Sequence, residues 1–156
     1  MKRVRLLIAL ILGVALTAAA QDGGDRSPAP SRFEAVDVFI DSGDKPLAAY
    51  QFELAAEVGD VKIVGIEGGE HQAFAEPPYY DPAALQKHRV IIAAFNTGKD
   101  LPKGKTRVAR VHVAVFGEQK PMYVVKLTVA ASSSGKEIKA GASVAPARAT
   151  AQGKEE

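Results

Sequence analysis

The segment from Glu70 to Pro82 (EHQAFAEPPYYDP) concentrates side chains that are suited to binding. It carries the aromatic residues Phe74, Tyr79 and Tyr80, and two prolines restrict the backbone that leads to the tyrosines. Tyrosines on a restricted loop can stack on sugar rings or anchor a protein partner, because they bring a large contact area at low entropic cost. The same rings can instead close an open end of a core. We expect Phe74 to be such a plug and leave both interpretations open for the tyrosines.

A second group of candidate binding residues is basic. Lys103, Lys105 and Arg107 fall in or beside a loop rich in lysine and glycine that the sequence predicts at Gly98–Lys105. Loops project from the ends of sheets, so we expect a basic patch that steers the encounter with an oppositely charged partner over a Debye length of about 8 Å. Replacing Lys103 and Lys105 by Glu is then expected to slow association at low salt and to leave folding intact.

Two acidic clusters were considered as metal sites. Asp41 and Asp44 crowd one turn (DSGD), where carboxylates beside a glycine suit calcium, but the same residues form tight turns through Asx-type hydrogen bonds. Glu67, Glu70 and His71 are residue types that can bind zinc, yet three ligands from one loop are weak evidence for a zinc site. Because neither cluster has the spacing of an established site, the sequence predicts no metal and no cofactor.

Enzymatic motifs are missing from the sequence. There is no G-x-S-x-G elbow, no H-E-x-x-H pair and no glycine-rich phosphate loop between a strand and a helix. The histidines, His71, His88 and His112, are far apart in sequence, and no spacing suggests a triad. We therefore predict a non-enzymatic protein.

The first twenty residues have the three-part pattern of a secretory signal peptide. Basic residues precede an apolar run from Leu6 to Leu16, and small residues follow up to Ala20. The apolar run is short for a bilayer span, which needs about 20 residues. The prediction is an exported protein, periplasmic or extracellular, with no membrane span after cleavage. Cysteine is absent, so its stability has to come from a packed core.

The charge balance argues against a nucleic-acid partner. Three of the 20 lysines and arginines lie in the signal segment, which leaves 17 against 18 acidic residues. The acids fall mostly in Phe33–Asp81 and the bases mostly in Pro82–Ala131. We expect these two halves to neutralise each other within one interleaved sheet structure.

The periodicity of the chain predicts the elements that position these residues. Tyr50, Phe52 and Leu54 alternate with polar residues, which is typical of a strand with one dry face, and residues 89–96 are apolar on both faces, as in a strand covered on both sides. Six such segments with almost no helix predict an all-β fold, a β-sandwich. The predicted strands are Phe33–Asp41, Leu47–Glu57, Asp60–Glu67, Arg89–Asn96, Thr106–Phe116 and Met122–Ala131.

The ends of the folded part follow from composition. Residues 21–32, rich in Gly, Pro, Ser and Asp, are predicted to be a linker, and residues 33–131 the domain. Residues 132–156 contain no aromatic residue and few large apolar ones. They are predicted to be a disordered tail whose deletion changes stability by less than about 0.5 kcal/mol.

Several strands of the sequence resemble a known family. The segment AAYQFEL followed by VKIVGIEGG, and later RVIIAAFN and TRVARVHVAV, is similar to strands of the cohesin-like domains of the carbohydrate-binding-module superfamily. The resemblance covers about residues 36–129. It implies a β-sandwich of the cohesin-like jelly-roll or immunoglobulin-like type that acts as an interaction module. Together with the absence of catalytic motifs, it predicts a secreted module that binds a protein partner, with a carbohydrate-binding module or an accessory subunit of an exported enzyme as alternatives.

Overall fold

Alternating apolar residues fold residues 29–147 into eight strands. The computed structural model describes residues 29–147, so the predicted signal peptide, residues 21–28 of the linker and residues 148–156 lie outside the described part. The predicted all-β sandwich is confirmed, because the strands form two four-stranded antiparallel sheets around one core. The strands are β1 (Arg32–Asp41), β2 (Ala49–Val58), β3 (Asp60–Glu67), β4 (Tyr79–Tyr80), β5 (Arg89–Phe95), β6 (Lys105–Phe116), β7 (Met122–Ala131) and β8 (Gly141–Pro146).

The chain passes from one sheet to the other after almost every strand. The first sheet has the order β3-β6-β1-β8 and the second the order β4-β5-β2-β7, so only β4 and β5 are neighbours both in sequence and in a sheet. Gly59 makes the tight crossing between β2 and β3 with a φ of +87°. A Cβ there would lie 3.1 Å from the Cα of Pro121, so both conformation and space favour glycine.

An aromatic cluster from β2 lies at the centre of the core. Phe52 is fully buried, and its ring stacks on that of Tyr50 with centroids 5.8 Å apart. Phe74, at the end of a short 3₁₀ turn, meets Tyr50 edge to face at 5.1 Å. Phe74 is therefore a core residue and contributes no exposed binding surface.

The Tyr50 hydroxyl gives the protein a sensitivity to alkaline pH. It donates a buried hydrogen bond of 3.0 Å to the carbonyl of Val108, and burial raises its pKa above the ordinary value of 10.0. Because the pKa is higher in the folded state than in the unfolded state, this stabilisation is complete below pH 10 and is lost as the pH rises above it.

Tyr50→Phe is expected to lower the free energy of unfolding at pH 7 by about 1 kcal/mol, since the Val108 carbonyl loses its donor. The variant should also lose less stability than the native protein between pH 9 and about pH 11, as measured by urea unfolding at each pH. Tyr79→Phe, whose ring is exposed, is the control. Equal losses of stability with pH in the native protein and Tyr50→Phe would contradict the assignment.

The prediction that ordered structure ends at Ala131 is wrong. After a turn closed by hydrogen bonds between Ser132 and Lys136, the chain crosses to the first sheet and forms β8 on the free edge of β1. Ala142 and Val144 of β8 pack on the core. Composition misleads here because the side chains are small, whereas main-chain pairing to an existing edge does not depend on side-chain size.

Two predictions about strand faces are also wrong. In β5, Ile91 and Phe95 are 52% and 66% exposed, so this strand is covered on one side only. In β7, the period of two predicts that Tyr123, Val125, Leu127 and Val129 all face the core, but Val129 is 42% exposed. Gln51 is paired with Val129 and Phe52 with Leu127, so a β-bulge at Thr128 reverses the direction of the side chains beyond it.

Candidate binding face

The structure divides the predicted binding residues between two sheets. Tyr79 is 69% exposed on the outer face of the second sheet, whereas Tyr80 turns inward and packs against the core. Lys105 and Arg107 lie at the start of β6, in the first sheet, and Lys103 is exposed in the loop before it. The predicted residues therefore do not form one site.

The outer face of the first sheet is a network of paired charges. Arg110 donates two hydrogen bonds, of 2.7 and 3.0 Å, to the largely buried carboxylate of Asp37, and these bonds raise the pKa of the guanidinium. Arg107 donates to the Gly68 carbonyl at 2.9 Å and lies 4.0 Å from the same carboxylate. The side chain of Lys105 rests over the Phe39 ring. Arg107 and Lys105 are thus held by neighbours within the fold.

The acidic loop after β3 lies beside the start of β6. The Glu70 carboxylate accepts a hydrogen bond of 2.8 Å from the backbone N–H of Arg107, and Glu67 contacts the Nε2 of His112 at 2.7 Å. The acidic half of the sequence therefore lies against β6 of the basic half. The ion pairs Asp37–Arg110 and Glu53–Arg89 join the two halves by charge, as their interleaving in one fold predicts.

The two clusters considered as metal sites have internal hydrogen-bond partners. The Asp41 carboxylate accepts a hydrogen bond of 3.0 Å from the Gly43 N–H. This bond is typical of an Asx turn, so the segment is a turn of that kind. His71 accepts from the N–H of Ala73 through Nδ1, while Glu67 and Glu70 face the partners described above. Within residues 29–147, no three His, Asp or Glu side chains are grouped as metal ligands.

The outer face of the second sheet presents an exposed apolar surface. We call Tyr79, Ile91, Ala93 and Phe95 the β4–β5 patch. Tyr79 is directly opposite Ala93 in the register of the two strands. Its ring lies within 8° of parallel to that of Phe95, with centroids 6.1 Å apart. The two stacked rings are each about two-thirds exposed, so aromatic side chains form much of the surface of this patch.

A shallow cleft of about 460 Å³ adjoins the patch. Its lining includes the apolar side chains of Ile91 and Ala93, the ring of Tyr79 and the charged residues Asp81 and Arg89. Arg89 is paired with Glu53 of the neighbouring strand, and Asp81 caps the 3₁₀ turn at Pro82–Ala84. A largely apolar lining with a few charged groups is the usual composition of a binding site.

Prolines protect the edge of the sheet beside the patch. The edge strand β4 has only two residues, with Pro77 and Pro78 before it and Pro82 shortly after it. Proline lacks the N–H that a pairing strand would need, so the edge does not extend readily by main-chain pairing. A ligand at this surface would therefore be recognised mainly through side chains.

Comparison with known proteins does not place the chain in a family. No family model, no curated protein and no solved structure matches it. The resemblance to cohesin-like domains stays a prediction from the sequence. Among the described residues, no helix is long and apolar enough to cross a membrane.

Sequence reasoning identified one member of the patch and missed the other three. The apolar pattern of residues 89–96 predicts a strand buried on both faces, which places Ile91, Ala93 and Phe95 inside the protein. The missing information was that β5 has only the two-residue β4 on one side and that no element of residues 29–147 covers its outer face. A strand that is apolar on both faces predicts either burial or a binding surface, and periodicity does not separate the two.

Proposed function

We propose that this protein is an exported, non-enzymatic interaction module that binds a protein partner through the β4–β5 patch. The observation that supports this most strongly is the exposed, parallel pair of Tyr79 and Phe95. In this proposal the first twenty residues are the signal peptide, and the sandwich acts in the periplasm or outside the cell.

The energetics favour a protein surface as the ligand of the patch. Burial of apolar area gains about 25 cal/mol per Å², and two exposed aromatic rings beside Ile91 offer such area without any rearrangement of the fold. Tyrosine and arginine are enriched among the residues that dominate binding energy, and Tyr79 and Arg89 both line the adjoining cleft. The outer face of the first sheet, where Asp37 and Arg110 satisfy each other, offers less to a partner.

Site-specific photocrosslinking tests the proposal. A photoreactive phenylalanine analogue in place of Phe95 is expected to trap a defined partner in an envelope extract of the native cell. The matched control replaces Phe33, which is 71% exposed and lies on the first sheet. Excess native protein should compete for the partner and so reduce the yield of the crosslink from position 95. The Phe95→Ser variant should need an at least about tenfold higher concentration for the same reduction, as expected for a residue that dominates the binding energy.

The pattern of crosslinks decides the outcome. Equal adducts from both positions, or none from position 95, would show that the patch is not the docking surface.

The charge-reversed variant Lys103→Glu/Lys105→Glu separates electrostatic steering of the encounter from docking. It should alter only the salt-dependent association rate, whereas Phe95→Ser should accelerate dissociation.

Carbohydrate binding is a second candidate, and the exposure of the Tyr79 and Phe95 rings favours it. The exposed face of an aromatic ring can stack on a sugar ring, and the nearby Asp81 and Arg89 provide polar groups for hydroxyls. Affinity electrophoresis in gels that contain soluble cell-wall glycans tests this alternative. If the glycan slows the migration of the native protein and of Phe33→Ala but not that of Tyr79→Ala, the result would favour sugar over protein as the ligand.

A further inference from the structure

A second cavity lies on another side of the sandwich, between the edge strands β7 and β8. Near their connection these strands are close, and the Ile138 N–H donates to the Ala130 carbonyl at 2.9 Å. The two strands belong to opposite sheets. At the ends away from their connection, a cavity of about 300 Å³ lies between them. Its apolar walls include Val36, Met122 and Val144.

Tyr123 gives this cavity a polar group without a partner. The residue lines the cavity, and its hydroxyl is buried without a hydrogen-bond partner among residues 29–147. An unpaired buried hydroxyl is unfavourable, and a molecule that brings an acceptor would remove that penalty. Burial, with the nearby Glu34 carboxylate, raises the pKa of Tyr123 to about 12, so the hydroxyl stays protonated and able to donate.

We infer that the cavity between β7 and β8 binds a small, uncharged, largely apolar molecule whose carbonyl oxygen accepts a hydrogen bond from Tyr123. The volume is at the lower end of the range for small-molecule sites, which begins at about 300 Å³. An uncharged ligand is favoured because the charges that line the cavity have opposite signs, with Glu34 on β1 and Lys120 before β7. The Glu34 carboxylate, which Arg32 contacts at 2.6 Å, also disfavours an anionic ligand.

The test compares two probes of the same shape in the full-length mature protein. Acetophenone carries a carbonyl acceptor, and α-methylstyrene replaces that oxygen with a methylene group. We expect acetophenone to cause saturable NMR shifts at Tyr123, Met122 and Val144. Tyr123→Phe should weaken acetophenone binding about fivefold, the value of one net hydrogen bond, and leave α-methylstyrene binding unchanged.

Controls separate this hydrogen bond from a structural effect. Tyr79→Phe removes a hydroxyl from the other surface and should change neither affinity. Tyr123→Phe should melt at the native temperature or above it, because it removes an unpaired buried hydroxyl. Equal effects of Tyr123→Phe on both probes, or shifts outside the cavity, would overturn the inference. Binding that appears only after deletion of residues 148–156 would overturn it as well, since the chain itself would then fill the site.

Discussion

Phe52→Ala is expected to lower the free energy of unfolding by about 3 to 5 kcal/mol, the usual cost of removing a large ring from a packed core. Phe52 is fully buried at the middle of β2 and stacks on Tyr50, so its loss leaves a cavity lined by residues of both sheets. Urea unfolding followed by circular dichroism measures the change through the transition midpoint.

Phe33→Ala is the matched control for this substitution. Phe33 is the same residue type but is 71% exposed, so its replacement should change stability by no more than about 0.5 kcal/mol. If both variants unfolded at the native midpoint, the aromatic cluster would not be the centre of the core.

Truncation after Ala131 is expected to destabilise the protein by about 2 to 4 kcal/mol. It removes β8, which pairs with β1 from Val36 to Asp41, and it removes the partly buried Ile138 and Val144 from the core. Each fully buried side chain of this kind contributes about 1.5 to 3 kcal/mol, and partial burial gives a fraction of that. Thermal unfolding of the truncated and native proteins measures the difference.

The control is a shorter truncation after Ala147, which leaves all eight strands and the hydrogen bond from the Ala147 N–H to Ala35 in place. A native melting temperature in the longer truncation would show that β8 contributes no stability. It would then restore the expectation of less than about 0.5 kcal/mol that composition alone suggested.

Much of the fold could be predicted from periodicity. The strand from Tyr50 to Leu54 alternates without interruption, and the structure buries its apolar face as predicted. β8 could not be predicted in this way, because the sequence GASVAP has small side chains and only a weak alternation. Its strand conformation depends on the free edge of β1, which is far away in sequence.

The candidate binding face was only partly predictable for a related reason. The position of Tyr79 directly after two prolines suggested an unusual segment, but its exposure depends on its pairing with Ala93 at the edge of the sheet. The bulge that turns Val129 outward also arises from pairing, since Thr128 hydrogen-bonds to the carbonyl of Gln51 across the strands. Such features are set by distant neighbours and leave little local signal.

The alternation of strands between sheets has a consequence for the time course of folding. Apart from β4 and β5, no strand can form a sheet with the strand next to it in the chain, so local hairpins cannot serve as early folding units. Asp37 and Arg110, which join β1 to β6, are 73 residues apart. Proteins with such distant pairings fold in milliseconds to seconds, more slowly than helical proteins. During synthesis, β1 cannot pair fully until β6 has been made for one of its edges and β8 for the other. The nascent chain therefore carries an open strand edge until β8, which ends at Pro146, has emerged.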